Sequence, residues 1–243
     1  MMKNEKIIFK LKNKIKGQKE LSLIFNDIYF NKGNCYSFIN PFSYNLIRLK
    51  KYNYILSSLD GFFIDGVFLV YMLKLVGIHV RRYSFDNTSV GALVFDFCEK
   101  NNKTIFFIGS KENEIKKSIL NIKEKYPELQ VLGYNNGYFD NVKKNEIISN
   151  ILKLKPDFVI VGMGAIFQEN FLIDLKKSGF KGIGFSCGGF LHQSANNFNY
   201  FPVIINKLHL RWFYRMVKEK GIFKRNIITY PKFFFNFIKD MLY

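Results

Sequence analysis

The sequence predicts an α/β fold, in which a parallel sheet is flanked by helices and a basic, aromatic helical appendage follows. Short apolar segments alternate with helical segments at a spacing typical of strand–helix–strand units. Several of the apolar segments end in glycine, as expected where a buried strand turns into a helix. From about residue 207 aromatic residues mix with Arg and Lys, and acidic residues are few. We therefore predict a core over 1–206 and an appendage over 207–243.

Local composition places the individual elements, with turn residues such as Asn40-Pro41, Gly77 and Pro127 marking their ends. The predicted strands are Lys6–Leu11, Cys35–Ile39, Tyr54–Leu59, Lys103–Ile108, Val131–Tyr134, Phe158–Val161 and Lys181–Phe185. The predicted helices are Leu21–Phe30, Ser43–Lys51, Asp65–Val76, Val90–Lys100, Glu112–Tyr126, Val142–Leu154 and Phe167–Lys177.

Charge and cysteine content restrict the possible functions. The 243 residues include 37 Lys and Arg against 19 Asp and Glu, a net charge of +18. This excess indicates an anionic partner, namely nucleic acid, anionic lipid or a phosphorylated substrate. The three cysteines form no CxxC pair or Cys/His cluster, so we predict free thiols, no metal site and no cofactor.

The sequence predicts neither a secretory signal nor a membrane span. The N-terminus is basic but lacks a long apolar segment and a small-residue cleavage site. The most apolar segment, 61–78, is short for a span and is interrupted by Asp65 and Lys74. We therefore expect any membrane association to be peripheral.

Glycine-rich turns after three predicted strands are candidate anion sites. They are IGS at Ile108–Ser110, GMGA at Gly162–Ala165 and SCGG at Ser186–Gly189. Ligands of parallel sheets bind at the carboxyl ends of strands, where helix N-termini offer N–H groups. Ordinary strand–helix turns explain each motif equally well. A dinucleotide fingerprint is absent because Phe167 occupies the place of its third glycine, and no Walker A motif is present.

Several charged or polar residues beside these turns have two readings each. Asp65 lies in the apolar stretch FFIDGVFLVYMLKLVG, where a carboxylate either caps a helix or serves a function. Arg82 follows this helix and either clamps a diphosphate or lies in a solvated loop. Gln168 and Glu169 lie in the first turn of a predicted helix. Either Gln168 forms a hydrogen bond with a ligand, or Glu169 serves only to complement the helix dipole. His192 is a lone histidine, more often structural.

The C-terminal segment has three open interpretations. Trp, Phe and Tyr residues alternate with Arg and Lys in LHLRWFYRMVKEKGIFKRNIITYPKFFFNFIKDMLY. Such a helix lies in the interface of an anionic membrane. The same residues also fit a basic helix packed on its own domain, or a surface that stacks on single-stranded nucleic acid.

Four stretches, taken together, resemble one family. They are Ile39-Asn40-Pro41, Asp65-Gly66, GMGAIFQE over Gly162–Glu169, and CGGFLH…FP…LRWFYR over Cys187–Arg215; Gly137-Tyr138-Phe139 also fits. This order and spacing resemble the WecG/TagA/CpsF glycosyltransferases. The resemblance covers roughly residues 20–230. It implies a Rossmann-like core without a metal site, and inverting transfer of a sugar from a UDP-sugar to a polyprenyl-pyrophosphate-linked sugar at the cytoplasmic membrane face, for capsule, exopolysaccharide, O-antigen or teichoic acid.

The resemblance also implies residue roles. Asp65 matches the proposed catalytic base and, beside an apolar helix, is expected to be partly desolvated. The residues implied to bind substrate are Asn40, Arg82, Gly164, Gln168, Glu169, Gly188, Gly189, His192 and Arg215. Departures from the family pattern lie near the donor: Phe38 replaces Thr, Ile166-Phe167 replaces Pro-Lys, His192 replaces Asp and Arg211 replaces Glu. They leave the transferred hexose open, with N-acetylmannosamine one of several.

The leading hypothesis is therefore a peripheral, inverting glycosyltransferase that needs no cofactor. Its expected partners are a UDP-sugar, a lipid-linked acceptor and an anionic membrane surface, with a homo-oligomer possible and no nucleic acid expected. Two alternatives from other classes remain: a non-catalytic basic module that binds single-stranded nucleic acid, and a non-catalytic scaffold of a polysaccharide assembly complex.

Overall fold

A six-stranded, all-parallel sheet forms the centre of the computed structural model, which describes residues 7–208, 210–219 and 221–242. The strand order across the sheet is β2-β1-β6-β5-β3-β4. The strands are β1 (Cys35–Ile39), β2 (Gly61–Ile64), β3 (Thr104–Gly109), β4 (Gln130–Asn135), β5 (Phe158–Gly162) and β6 (Ile183–Ser186). The predicted α/β class with a parallel sheet is confirmed.

Helices cover both faces of the sheet, as a buried parallel sheet requires. They are α1 (Ile7–Lys12), α2 (Gln18–Asn26), α3 (Pro41–Ile47), α4 (Tyr54–Ser58), α5 (Val67–Leu75), α6 (Val90–Lys100), α7 (Glu112–Lys125), α8 (Asn141–Leu154), α9 (Phe167–Lys177), α10 (Phe190–Asn196), α11 (Val203–Lys207), α12 (Arg211–Lys218) and α13 (Ile222–Leu242). Alternate strand residues point to opposite faces. Phe62 and Val159 pack in the core with α3, α9 and α13, whereas Phe63 and Ile160 pack with α2, α6 and α7.

Two predicted strands are wrong. The segment predicted as strand Lys6–Leu11 forms helix α1, where Ile8 and Leu11, three residues apart, are buried on one side; Lys6 itself lies outside the described residues. The segment predicted as strand Tyr54–Leu59 forms α4, with Ile55, Leu56 and Leu59 buried. In both segments the apolar residues recur at helical rather than alternating spacing.

The apolar stretch around Asp65 contains a strand that the sequence analysis assigned to no element. Phe62 and Phe63 are fully buried on opposite faces of edge strand β2, which pairs in parallel with β1. The predicted helix over Asp65–Val76 therefore begins only at Val67. Gly66 occupies its N-cap position, so the alternative reading of Asp65 as the helix cap is wrong.

The C-terminal helices pack against the core. In α13, Phe233 and Phe237 are one turn apart, fully buried, and both contact Tyr44 of α3. Asp240 near the end of α13 accepts two hydrogen bonds from Arg48. The boundary between 1–206 and 207–243 stays a prediction. Across the ranges that the structure describes, no helix combines the length and the apolar character needed to cross a membrane.

Candidate active site

The strand order creates two positions at which a ligand crevice is expected. From β1 the chain proceeds to β2 on one side, while β6 lies on the other side. Likewise, the chain proceeds from β3 to β4, while β5 lies on the opposite side. Between such neighbours the connections diverge, which leaves a crevice beyond the carboxyl ends of the strands. The predicted site residues Asn40, Gly164 and Gly188 all follow these strands.

Asp65 lies beside the carboxyl end of β1. It follows β2 directly, and its backbone N–H donates to the carbonyl of Ile39, 2.8 Å away. Gly66 has φ +102, and a Cβ there would lie 3.2 Å from Cδ of Pro41, so glycine lets the two loops approach closely. One third of the Asp65 side chain is exposed, which matches the partly desolvated carboxylate that was expected.

Arg82 pairs with Asp65. Its Nε donates to Oδ1 of Asp65 at 3.2 Å, and its Nη2 donates to Oγ of Ser84 at 2.9 Å. Arg82 is therefore part of a polar network rather than of a solvated loop. The hydrogen bond from Arg82 therefore fixes the orientation of the Asp65 carboxylate.

Asn40 connects the end of β1 to α3. Its Oδ1 accepts hydrogen bonds from the backbone N–H groups of Phe42 and Ser43, each at 3.0 Å, and thus caps the helix. Since the oxygen is used by the cap, the amide nitrogen is the group left to contact a ligand. Cap and ligand contact are compatible in one side chain.

Glu169 and Gln168 connect strand β1 to the loops after β5 and β6. The Glu169 carboxylate has no exposed surface and accepts hydrogen bonds from Ser37 Oγ, Gln168 Nε2 and Ile166 N, at 2.5 to 2.9 Å. Gln168 Oε1 in turn accepts from Gly188 N at 3.2 Å. These bonds support the loops after β5 and β6. The predicted direct contact of both side chains with substrate stays a prediction.

Burial dominates the chemistry of Glu169. It raises the pKa of this carboxyl, because removal from water disfavours the charged form more than the hydrogen bonds from Ser37 and Gln168 favour it. The network also holds Ile166 at φ +75, a strained conformation for a β-branched residue. Strain of this kind persists only where neighbours enforce it, and it clusters at functional sites.

The glycines predicted to approach phosphate border open space. Gly164 has φ +82 and Gly188 has φ +55, and a Cβ on either would meet no atom within 4 Å. Their backbone N–H groups lie beyond β5 and β6, where the crevice is expected. Gly189 differs, because a Cβ there would lie 3.5 Å from Nη2 of Arg215. That contact places Arg215 of the appendage against the predicted phosphate loop.

Arg215 reaches over the site from α12. Its Nε and Nη2 donate to the two carboxylate oxygens of Glu219, at 2.7 and 2.8 Å. Burial opposes the charge on Arg215. The hydrogen bonds that Arg215 donates to Glu219, followed by the negative charges of Glu219 and Asp65, outweigh burial and raise the pKa of the arginine. Burial, followed by the Asp65 charge, likewise raises the pKa of Tyr230. Asp65, Arg215 and Tyr230 therefore lie within electrostatic range of one another.

Arg225 is a candidate ligand residue that sequence reasoning did not identify. Among the residues described, its Nε is the buried side-chain nitrogen or oxygen without a hydrogen-bond partner, and its guanidinium lies 4.9 Å from the ring centre of Phe42. Burial, followed by the positive charge of Arg215, lowers its pKa. An anion bound between Arg215 and Arg225 would give the Arg225 Nε a hydrogen-bond partner and would offset the repulsion between the two positive charges. In the sequence, Arg225 is one of many basic residues of the tail, so only burial distinguishes it.

His192 lies at the side of the site. Its Nδ1 is 3.0 Å from Oε1 of Glu114, close to the turn after β3. It also borders a cavity of about 750 Å³ between α10 and α12. The other residues that line this cavity are Asn196, Asn197, Asn199, Tyr200, Pro202, Tyr214, Lys218, Glu219 and Ile222. Glu219 connects the cavity wall to Arg215, so the cavity adjoins the strand-end site.

Guanidinium groups supply the positive charge of this site. Within residues 7–208, 210–219 and 221–242, no three His, Cys, Asp or Glu side chains are grouped as metal ligands would be. The three cysteines are buried free thiols, as predicted. Arg82 pairs with Asp65, the charge of Asp65 acts on Arg215, and Arg225 lies within electrostatic range of Arg215. This arrangement suits a substrate that carries several negative charges and a proton to be removed.

Comparison with known proteins agrees with this geometry. The model of the "Glycosyl transferase WecG/TagA/CpsF family" matches residues 15–243. A Shigella boydii protein named UDP-Gal:alpha-D-GlcNAc-diphosphoundecaprenol beta-1,4-galactosyltransferase is 36% identical over 208 residues, which cover 85% of this chain and 86% of that protein.

Other relatives are named for a different sugar. A Bacillus subtilis (strain 168) protein named N-acetylglucosaminyldiphosphoundecaprenol N-acetyl-beta-D-mannosaminyltransferase is 27% identical over 211 residues, which cover 86% of this chain and 80% of that protein. A Staphylococcus aureus (strain MW2) protein of the same name is 25% identical over 133 residues, which cover 53% and 52% of the two chains.

Proposed function

Because the chain belongs to the WecG/TagA/CpsF family and is a glycosyltransferase, we propose that it moves a hexose from a UDP-sugar to a lipid-diphosphate-linked sugar with inversion. The printed names of its relatives support this general reaction, but they differ in the sugar transferred. UDP-galactose is the donor to test first, since the galactosyltransferase relative shares 36% identity with this chain. UDP-N-acetylmannosamine is the second.

The observation that carries the proposal is the Asp65–Arg82 pair at the strand-end crevice. In the proposed step, Asp65 takes the proton from an acceptor hydroxyl while the oxygen of that hydroxyl attacks the anomeric carbon of the donor sugar. The bond between the hydroxyl oxygen and the anomeric carbon forms, and the bond to the diphosphate oxygen breaks on the opposite side. Arg82 holds the carboxylate of the base in a fixed orientation through its 3.2 Å hydrogen bond.

The leaving UDP carries the electron pair of the broken bond, and cationic groups stabilise its charge. Arg215 and Arg225 are suited to this role because both reach the site from the appendage, and Arg225 has an unpaired nitrogen. The loops at Gly164 and Gly188, where a Cβ would meet no atom within 4 Å, are suited to the close approach of the donor phosphates. The adjoining cavity, lined by amides and tyrosines, is suited to the acceptor sugar.

The exposed aromatic residues of the appendage support peripheral binding to an anionic membrane. Trp212, Phe223 and Phe235 are 44%, 57% and 71% exposed, and Lys224 lies among them. Apolar side chains that enter the interface, with cations that approach lipid headgroups, give such helices their membrane affinity. We place the protein at the cytoplasmic face, where UDP-sugars are made. A homo-oligomer stays a prediction.

Asp65→Asn tests the proposal. We expect kcat for transfer to a lipid-linked GlcNAc acceptor to fall by about 10²–10⁴-fold, the usual contribution of a general base. UDP affinity, measured by calorimetry, should remain unchanged. Asp27→Asn is the matched control, because Asp27 pairs with Lys32 and not with any residue of the site.

Three results would contradict parts of this proposal. Full activity of Asp65→Asn would remove Asp65 as the base. Salt-dependent binding of an oligonucleotide by the wild type, without binding of any UDP-sugar, would instead support the nucleic-acid module. Activity that arises only after a second subunit is added would support the scaffold.

A further inference from the structure

A buried arginine at the start of α12 anchors the appendage on the core. Arg211 is 9% exposed. Its guanidinium donates to Asp86 through Nη1, to Thr88 Oγ1 through Nη2 at 2.5 Å, and to Asn206 Oδ1 through Nε at 2.5 Å. The ring centre of Phe201 lies 4.8 Å from its Cζ. All three nitrogens are thus bonded inside the protein, and none is left to bind substrate.

The partner of Arg211 belongs to the loop that carries Arg82. Ser84 Oγ donates to Asp86 Oδ2 at 2.5 Å and accepts from Arg82 Nη2 at 2.9 Å. Arg82 Nη2 is also 4.0 Å from Asp86 Oδ2. A continuous polar chain therefore runs from Arg211 through Asp86, Ser84 and Arg82 to Asp65.

The Arg211 charge stabilises the ionised carboxylate of Asp86. Burial opposes ionisation of Asp86, but the Arg211 charge and then the hydrogen bonds from Ser84 and Thr88 outweigh it and lower the pKa of this carboxyl. Loss of Arg211 would remove the hydrogen-bonded cation of the buried Asp86 carboxylate and leave Arg82 4.0 Å away, a costly arrangement that the loop relieves by moving. Since Arg82 lies in the same loop, it would move as well.

The Arg211–Asp86 ion pair also positions Arg215, because both arginines belong to α12. Arg211 and Arg215 are four residues apart in α12 and therefore lie on one face of the helix. With Arg211 fixed on Asp86, that face turns toward the core, and Arg215 comes to rest beside Gly189. One ion pair thus sets the positions of two arginines that flank Asp65.

We infer that Asp86 and Arg211 are positioning residues, which hold Arg82 and Arg215 in register with Asp65. The inference rests on the proposed glycosyl transfer for its catalytic meaning.

The test compares two ion pairs that join the appendage to the core. Arg211→Gln removes the anchor near the site. Arg48→Gln, the matched control, removes the Arg48–Asp240 pair between α3 and α13, which has no hydrogen bond to the Arg82 loop. Both variants remove the hydrogen-bonded arginine of a largely buried carboxylate, so they share this structural penalty. Asp86→Asn is a second variant, which keeps the shape of the partner but not its charge.

We expect kcat of Arg211→Gln and Asp86→Asn to fall by about 10²-fold, as a misplacement of about 1 Å does. The KM for the UDP-sugar should change far less than kcat. Arg48→Gln should lose stability and keep its kcat. Hydrogen exchange of loop 78–89 should accelerate in Arg211→Gln and not in Arg48→Gln.

Equal kcat values for Arg211→Gln and Arg48→Gln, or unchanged exchange in loop 78–89, would overturn the inference. The exchange measurement does not depend on transfer. If the wild type transfers no sugar but loop 78–89 still loosens in Arg211→Gln only, the proposed function fails while the anchor stands.

Discussion

Phe233→Ala and Phe235→Ala form a pair that tests how α13 is attached to the protein. The two residues have the same chemistry and lie two positions apart on one helix. Phe233 is fully buried against Tyr44 and Phe68, whereas Phe235 is 71% exposed. Any difference in their effects therefore arises from the docking of α13 on the core.

The expected magnitudes follow from burial. Truncation of a buried Phe to Ala removes its transfer free energy and leaves a cavity, which together cost about 3–5 kcal/mol. Exposed substitutions cost within about 0.5 kcal/mol. For a protein of this size, Phe233→Ala should therefore lower Tm by about 6–20 °C, at roughly 2–4 °C per kcal/mol, and Phe235→Ala should leave it nearly unchanged.

Urea unfolding followed by circular dichroism measures the difference in the free energy of unfolding. Sedimentation with anionic vesicles provides the converse assay, in which Phe235→Ala should weaken binding by about tenfold or more, since burial of a Phe is worth about 1.5–3 kcal/mol. Equal stabilities of the two variants would refute the docking of α13 on α3. Such a result would favour an appendage that folds independently of the core.

Two further predictions concern the site loops. Gly66→Ala places a Cβ 3.2 Å from Pro41 Cδ on a residue with φ +102, which costs about 1–2 kcal/mol. The substitution should displace Asp65 and lower kcat, while UDP affinity is kept. An unchanged kcat would contradict the close contact between the two loops. The pKa of Glu169 is raised in the folded state. Protonated Glu169 therefore makes its full contribution to the free energy of unfolding below the ordinary pKa of 4.5, and this contribution is lost as pH rises through the folded-state pKa. Glu169→Gln should therefore gain stability relative to the wild type as pH increases from 4.5, measured by urea unfolding at several pH values; a difference independent of pH would show that Glu169 does not titrate in this range.

The sequence predicted the α/β class because the strands that are buried on both faces are short apolar runs bounded by turn residues. Cys35–Ile39 and Phe158–Val161 are examples, and both are strands of the sheet. It failed at Tyr54–Leu59 and Gly61–Ile64, where apolar residues allow either helix or strand. There the choice depends on whether a neighbouring strand offers hydrogen bonds, as β1 does to β2.

The sequence by itself determined the family, the net positive charge and the order of motifs around Asp65. These are properties of residue identity and spacing, which survive without coordinates. Only the tertiary structure decided which side chains share a hydrogen bond. It separated Asp65, which pairs with Arg82, from Glu169, which is buried in a supporting network. It also distinguished Arg211 and Arg225 from the other basic residues of the tail, because burial and pairing arise only when α12 and α13 pack on the sheet.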